Sequence, residues 1–365
     1  SNKLYAGKLV WAYPLFKGRI SGGSEYSYIH RISDFSGFGN QILGTSDKIR
    51  ERNLAFFLNC TSSLGGIDAS AGLRYEGVKS DFYENSIYQS DESKHYRNLF
   101  PSLSLKGSVG KVHWGLGYHI QVARPYYEQL KNEIHYGNRF TYLGGTPNLQ
   151  PTYIHTAEMR AAYRDLQLSV GYNRYNDDIL FSIEQATSDP KITLIKFRNV
   201  EHRDEMTASL VYSPGIGCWR PEWVASVQSQ WFNIGYLDGT KNMNGITVGI
   251  RWNNSFQLPM GYIFRLNGTY TGKGVYQNSF TRPVSCFGVS IYKSFFNGRL
   301  DCTVEGNDLF HTVRDATTQY DNKVKIYRET QRNTQEVKLT VHYKFNLQKS
   351  KYKGTGAGLD EQQRL

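Results

Sequence analysis

The residues that could do chemistry are spread along the sequence without forming a catalytic or metal-binding pattern. His113 and His119 share one phase of an alternating segment. Six residues at about 3.3 Å each separate them by about 20 Å, which is too far for one ion. The adjacent carboxylates Asp177 and Asp178 lack the regular spacing of a calcium loop. No nucleophile with a matching base stands out, so we predict a non-enzymatic protein without a metal or cofactor.

Charged side chains within alternating segments suggest structural support or binding instead. Arg74, Glu76, Arg251 and Arg265 all occupy the polar phase of such a segment, and we predict that they face a polar interior. One interpretation is an ion-pair network that holds the fold or a domain filling it. The other is direct contact with a substrate.

Five aromatic residues form a second candidate group in the long polar stretch 124–150. Aromatic faces can stack on a ligand such as a sugar. Loop anchoring and an interfacial aromatic belt are the alternatives. The five residues are Tyr126, Tyr127, Tyr136, Phe140 and Tyr142.

The elements that must position these groups are β-strands. From Val112 to Val122, and again from Leu339 to Leu347, every second residue is apolar and most of those between are polar. This period of two places successive side chains on opposite faces of a strand. Elsewhere the polar phase carries Arg, Lys, Asp and Glu, so it cannot be the dry core of a sandwich. It can line the lumen of a barrel whose apolar outer face meets lipid.

Strand number and loop lengths predict an all-β, antiparallel transmembrane β-barrel. We count about 14 to 15 alternating segments, many of them roughly ten residues long. Short connections such as 63–66 and 107–111 alternate with long polar stretches such as 30–51, 78–95 and 124–150. Short turns belong at the periplasmic side and long loops outside the cell. The first and last segments then run in the same direction, so we expect this chain to be part of a larger barrel.

Charge does not indicate a nucleic-acid partner. The formal net charge is +11, with 43 Lys and Arg residues. They are scattered and often alternate with apolar positions, rather than forming one basic element. We therefore predict no nucleic acid; a basic lumen or a surface facing anionic lipopolysaccharide explains the charge.

Several short motifs, in this order and spacing, resemble the outer membrane β-barrel family related to TonB-dependent receptors. The resemblance covers nearly the whole chain. Its motifs are Gly72-Leu73-Arg74-Tyr75-Glu76, Phe100-Pro101-Ser102, Arg124-Pro125-Tyr126, Gly145-Thr146-Pro147-Asn148-Leu149-Gln150-Pro151, Phe296-Asn297-Gly298-Arg299-Leu300, Asn307-Asp308-Leu309-Phe310 and Tyr343-Lys344-Phe345-Asn346. Thr146 departs from the Asn usual in the family.

This resemblance implies a location in the cell outer membrane and the import or binding of a bulky nutrient. It implies a full barrel of roughly 22 strands with an N-terminal plug domain. Residues 1–347 would be the C-terminal barrel portion and 348–365 a polar periplasmic tail. The partners implied are outer membrane lipid, the plug and upstream strands, an inner-membrane energy-coupling complex and surface lipoproteins. A soluble or surface-displayed all-β binding module, for example for carbohydrate, is the alternative function, and an outer-membrane enzyme is a third.

Overall fold

A computed structural model of the chain describes residues 1–15, 17–35, 44–132, 134–185, 191–345 and 364. Almost all of them lie in β-strands. The helical segments among them are two short 3-10 helices, Tyr127–Leu130 and Pro259–Gly261. No helix in these ranges is long and apolar enough to cross a membrane.

Fifteen long strands form the barrel wall as one antiparallel meander, each paired with the next along the wall. This agrees with the predicted number. Fourteen antiparallel steps leave the first and last wall strands running in the same direction, and within the described ranges their outer edges are not paired with each other. The wall strands are β1 Asn2–Leu15, β2 Gly18–Phe35, β3 Thr45–Leu64, β4 Ile67–Glu84, β5 Ile87–Val109, β6 Val112–Ala123, β9 Thr152–Tyr163, β10 Leu166–Gln185, β11 Thr193–Tyr212, β12 Trp219–Trp231, β15 Gly245–Gln257, β16 Tyr262–Thr271, β19 Val284–Phe295, β20 Leu300–Asn307 and β23 Glu336–Tyr343.

Eight shorter strands lie in the connections at the long-loop end of the wall. They are β7 Ile134–Asn138, β8 Thr141–Gly144, β13 Asn233–Tyr236, β14 Gly239–Asn242, β17 Gly274–Tyr276, β18 Ser279–Thr281, β21 Arg314–Asp321 and β22 Val324–Gln331.

Alternation gives the wall two chemically different faces. On β3 the outward side chains Leu54, Phe56 and Leu58 are each about half exposed, whereas the inward Asn53 and Ala55 are buried. An apolar outer band of this kind is what a lipid-facing barrel wall requires.

One stretch predicted as a long loop, 78–95, is almost entirely strand, and so are most of the described residues of a second, 30–51. Residues 78–95 continue β4 to Glu84 and begin β5 at Ile87, joined at Asn85 and Ser86, whose φ angles are 48° and 69°. Two successive left-handed residues are typical of a tight hairpin turn. Likewise β2 and β3 extend into 30–51. These strands project beyond the band that lipid covers because their inward apolar residues, such as Val78, continue to pack inside.

The core at the long-loop end is formed by several connections together. Strands β17, β18, β21 and β22 form one small sheet, and β13 with β14 forms another. With the ends of β10 and β11 they enclose an apolar cluster, and we call this assembly the loop cap. Its buried members are Leu180, Val200, Phe232, Ile234, Met243 and Val275, with Phe280 and Tyr320 packed against them.

Buried polar groups fix the connections of the loop cap to one another. The Asp321 carboxylate accepts hydrogen bonds from the Ile183 amide at 2.7 Å and from the Arg198 guanidinium at 2.6 Å. The Gln230 amide donates to the carbonyls of Met243 and Gln277, each at 2.8 Å. Each bond joins segments far apart in sequence, so the cap is specified by long-range contacts.

Asp308 holds the connection that follows β20. Its fully buried carboxylate accepts hydrogen bonds from the Thr334 hydroxyl at 2.6 Å and from the amides of Thr312 at 2.8 Å and Val313 at 3.4 Å. Burial alone would raise the pKa of Asp308, but these donors favour its charged form and lower the pKa. This explains the Asp in the Asn307-Asp308-Leu309-Phe310 motif as a structural residue.

Of the predicted periplasmic tail, residue 348 onward, only Arg364 lies within the described ranges. Its guanidinium donates to Glu51 at 2.7 Å and to the Pro125 carbonyl at 3.2 Å, inside the wall and near the long-loop end. The prediction of a periplasmic tail otherwise falls on residues outside the described ranges.

Candidate ligand vestibule

A first network of ion pairs crosses the inner face of the wall from β1 to β6. Arg74 donates to Glu76 at 2.6 Å and to Glu25 at 3.4 Å. Lys8 lies 3.9 Å from Glu25 at one end, and Arg124 pairs with Glu76 at the other. The network therefore ties together strands that are distant in sequence.

A second network lies on β10, β11 and β12. The buried Arg203 guanidinium donates to Asp178 at 2.6 Å and to Glu205 at 2.9 Å, and it lies 4.0 Å from the centre of the Tyr175 ring. Gln228 adds a hydrogen bond to Glu205 at 3.0 Å. Arg203 thus has both carboxylate partners and an aromatic face around it, as a buried cation requires.

The two networks border a cavity of about 390 Å³ near the long-loop end, which we call the vestibule. Its charged lining residues are Arg124, Asp178, Arg203 and Glu205, and each is paired. The other lining groups are mainly phenols, amides and short apolar side chains: Ala123, Tyr126, Gln129, Thr152, Ile154, Tyr175, Ile179, Gln228, Tyr276 and Gln277. The lining presents polar but charge-balanced chemistry.

The four charged residues singled out from the sequence lie in different surroundings. Arg74 and Glu76 form an ion pair with each other within the first network. Arg251 lies 3.9 Å from Glu222 and is half exposed, whereas Arg265 lies 5.8 Å from the Tyr292 ring. The structure therefore brings together the first pair and not the second, and none of the four lines the vestibule.

The five aromatic residues also separate. Tyr126 is exposed and lines the vestibule. Its neighbour Tyr127 is fully buried in a cluster with Ile29, Ile49 and Phe82. A ligand cannot reach the Tyr127 ring in this arrangement, because the ring is a packing element between β2, β3 and β4.

The other three rings belong to the β7–β8 hairpin. Tyr136 and Tyr142 have ring centres 5.9 Å apart, and Phe140 is more than half exposed at the turn. They are not part of the vestibule lining.

Sequence reasoning missed the second network and the vestibule residues Tyr276 and Gln277. From the sequence, Asp178 is identified only as half of a carboxylate pair, and Arg203 is not singled out. Both are inward residues of the paired strands β10 and β11. Predicting their contact would have required the register of these two strands. In the described ranges, no group of three or more His, Cys, Asp or Glu residues is close enough to hold a metal ion.

Comparison with known proteins decides the family. The model of the outer membrane protein beta-barrel family matches residues 1–343. The chain belongs to this family. Its place is accordingly the outer membrane, which agrees with the prediction from strand patterning. No curated protein sequence matches the chain.

Solved structures show the same fold at low sequence identity. The chain is similar to the copper transporter OprC, with a TM-score of 0.63 and 12% identity over 93% of this chain and 55% of the other. It is also similar to the FrpB iron transporter from Neisseria meningitidis, with a TM-score of 0.63 and 12% identity over 94% of this chain and 55% of the other. For the ferric-catecholate import receptor Fiu from E. coli K12, the TM-score is 0.61 and the identity 12%, over 93% of this chain and 54% of the other.

These comparisons confirm the predicted outer membrane β-barrel family, and the solved structures share the fold of this chain. The chain spans about half the length of these structures. Its relatives in structure are transporters and receptors.

Proposed function

We propose that this chain forms the barrel portion of an outer membrane receptor that binds and imports a bulky polar nutrient. The vestibule is the observation that supports this proposal. It opens between the loop cap and the loop after β6. A ligand arriving from outside the cell meets this end of a barrel first. A further part of the inner wall carries polar side chains, among them Ser169, Thr207 and Ser226, which suit a path for a hydrated molecule.

The pairing of charges in the vestibule favours a neutral ligand. Arg124 and Arg203 are neutralised by Glu76, Asp178 and Glu205, so no cation is left over to attract a highly anionic ferric chelate. The groups that remain for a ligand are phenol rings and amides, such as Tyr126, Tyr276 and Gln277. Rings and amides suit the hydroxyls and apolar faces of a carbohydrate or the backbone of a peptide.

Further partners follow from the same proposal. A receptor of this class would need an N-terminal plug domain, additional barrel strands, an inner-membrane energy-coupling complex and surface lipoproteins. The inward network around Arg74 and Glu76 would then support the plug, with Arg251 and Arg265 facing the same lumen. No residue is proposed as catalytic.

The test uses the full-length protein purified from outer membranes. Oligosaccharides, peptides and ferric chelates are screened for binding by isothermal titration calorimetry. We expect a neutral polar ligand to bind, and Tyr276→Ala to weaken its binding about tenfold, since an aromatic contact contributes roughly 1 to 1.5 kcal/mol. Tyr136→Ala is the matched control outside the vestibule and should bind as the unmodified protein does.

Two outcomes would contradict the proposal. One is a full-length protein that binds only ferric chelates or other strongly anionic ligands. The other is a ligand whose affinity changes equally in both tyrosine variants. A soluble all-β binding module is not favoured, because the family match and the transporter-like fold place the chain in the outer membrane.

A further inference from the structure

A group of basic side chains lies on the outer, lipid-side face of the first five wall strands. On β3 the outward phase that carries Leu54, Phe56 and Leu58 continues toward the long-loop end as Arg52, Arg50 and Lys48. The inward residues between them, Asp47, Ile49, Glu51 and Asn53, are buried. The same phase that faces lipid therefore becomes cationic above the apolar band.

Strand register brings further cations to the same level. Arg52 is opposite Lys79 of β4, and Lys79 is opposite His95 of β5. Arg50 is opposite His30 of β2, which is opposite Lys3 of β1. We call this set the basic patch, and its members are Lys3, His30, Lys48, Arg50, Arg52, Lys79, His95 and Arg97.

Acidic residues do not balance the basic patch. Asp81 and Asp34 are outward carboxylates near the patch, and the exposed Asp91 lies beside it in the irregular part of β5. Asp81 lies 3.6 Å from Lys79, and Asp34 accepts a hydrogen bond from Ser46 at 2.6 Å. Six Lys and Arg charges thus outnumber these three carboxylates on strands that lie about 4.8 Å apart. Like charges held this close repel one another unless an anion lies between them.

Individual groups in the patch also lack partners. The Arg50 Nε and the His30 Nε2 are shielded from solvent, and neither has a hydrogen-bond partner among the described residues. Lys48 and Arg50 both lie against the face of Tyr83, at 5.0 and 5.5 Å from its centre. This holds the two cations side by side and directed outward.

The height of the patch on the barrel identifies the anion. Arg52 is two residues beyond Leu54, which is about 7 Å along the strand from the apolar band. At the level of Arg52, Tyr5 and Tyr28 stack with ring centres 6.3 Å apart. Tyrosines are enriched at the boundary between hydrocarbon and headgroups. The cations therefore lie at headgroup level on the extracellular side.

We propose that the basic patch binds the phosphate groups of a phosphorylated glycolipid, lipid A, in the outer leaflet. Arg50, Arg52 and Lys48 supply the central contacts, and Lys79 and Lys3 flank them. A glycolipid also fits the geometry because its acyl chains would lie against the apolar band below. The inference depends on the location in the outer membrane and is independent of the proposed nutrient.

Binding of three lipids to the full-length protein in detergent tests the proposal by native mass spectrometry. They are lipid A, lipid A freed of its phosphates, and phosphatidylglycerol. We expect lipid A to bind at least tenfold more tightly than the other two. Equal binding of dephosphorylated lipid A, or of phosphatidylglycerol, would overturn the proposal.

The variant K48Q/R50Q/R52Q locates the site. Each cation near an anionic lipid surface contributes about 1 kcal/mol, so the loss of three should weaken lipid A binding roughly 100-fold. The heat-modifiable mobility of the protein in gel electrophoresis shows whether the variant is folded. If it is not, R52Q alone, at an exposed position, should still weaken binding about fivefold.

A matched control removes the same charge from the opposite end of the barrel. The variant K17Q/K111Q/R164Q changes three exposed cations in the short turns. It should bind lipid A as the unmodified protein does. An equal loss in this control would mean that net charge, not the patch, governs binding, and would refute the assignment.

Discussion

Removing Arg203 should destabilise the barrel more than removing any exposed cation. The change Arg203→Met leaves Asp178 and Glu205 facing one another at a site where the arginine is almost completely buried. Methionine keeps the length and apolar stem of the side chain but supplies no charge. The two carboxylates are then both unpaired and close together.

The size of the effect follows from the contacts. Two charge-assisted hydrogen bonds, at 2.6 and 2.9 Å, are lost, each with a value of roughly 1.5 to 3 kcal/mol. The carboxylates of Asp178 and Glu205, both held by the one guanidinium, are also left without a partner and repel one another. Breaking a buried ion pair typically costs about 3 to 5 kcal/mol, and we expect a loss in that range.

The assay is denaturant unfolding of the full-length protein in lipid vesicles, which gives the free energy of unfolding. Arg160→Met is the matched control, since Arg160 pairs with Glu158 at 2.8 Å but is mostly exposed. It should cost less than about 1 kcal/mol. The triple variant Arg203→Met/Asp178→Asn/Glu205→Gln removes the stranded charges and should recover most of the loss.

Two results would refute the reasoning about Arg203. A single variant within 1 kcal/mol of the unmodified protein would mean that the pair is solvated rather than buried. A triple variant as unstable as the single one would mean that packing, and not the unpaired carboxylates, carries the cost.

Three further predictions test the faces of the wall and the loop cap by the same unfolding assay. Leu58→Arg, on the lipid face, should cost about 2 to 4 kcal/mol, whereas Asn59→Arg, on the lumen face, should cost under 1 kcal/mol; equal losses would contradict the assigned faces. Tyr127→Ala should cost about 3 to 5 kcal/mol because the ring is fully buried, and Tyr126→Ala should change stability by less than 1 kcal/mol; the reverse order would exclude the described packing. Asp308→Asn should destabilise the protein above about pH 5. Because the folded-state pKa of Asp308 is below its ordinary value of 3.8, the difference between this variant and the unmodified protein should shrink as the pH falls below that value; a difference that grows with acid would show the opposite sign of shift.

The sequence was sufficient to predict the wall and its faces because alternation is a local property. Val112, Leu116 and Tyr118 show their phase without reference to any partner strand, and all three are exposed on the wall. The short turns were also predicted correctly, since Gly65 and Gly66 adopt positive φ angles at one of them. The ion pair between Arg74 and Glu76 could be predicted because both residues lie on one strand and on one face of it.

The vestibule and the loop cap could not be predicted because they depend on register between distant segments. Phe232 and Met243 come from the connection between β12 and β15, Val275 comes from the connection between β16 and β19, and the three share no sequence period. Tyr126 and Tyr127 are adjacent and chemically identical, yet packing against β2, β3 and β4 buries only the second. The proposed roles of these residues in ligand binding therefore rest on the three-dimensional arrangement.

The shared core of the loop cap has a consequence for how this surface can change. Its apolar cluster takes residues from β10, β11 and three later connections, so replacing one connection would expose the core that the others contribute. Sequence variation at this surface should therefore be confined to side chains pointing away from the cluster. A single connection transplanted into another receptor would not keep its shape, whereas the connections moved together would.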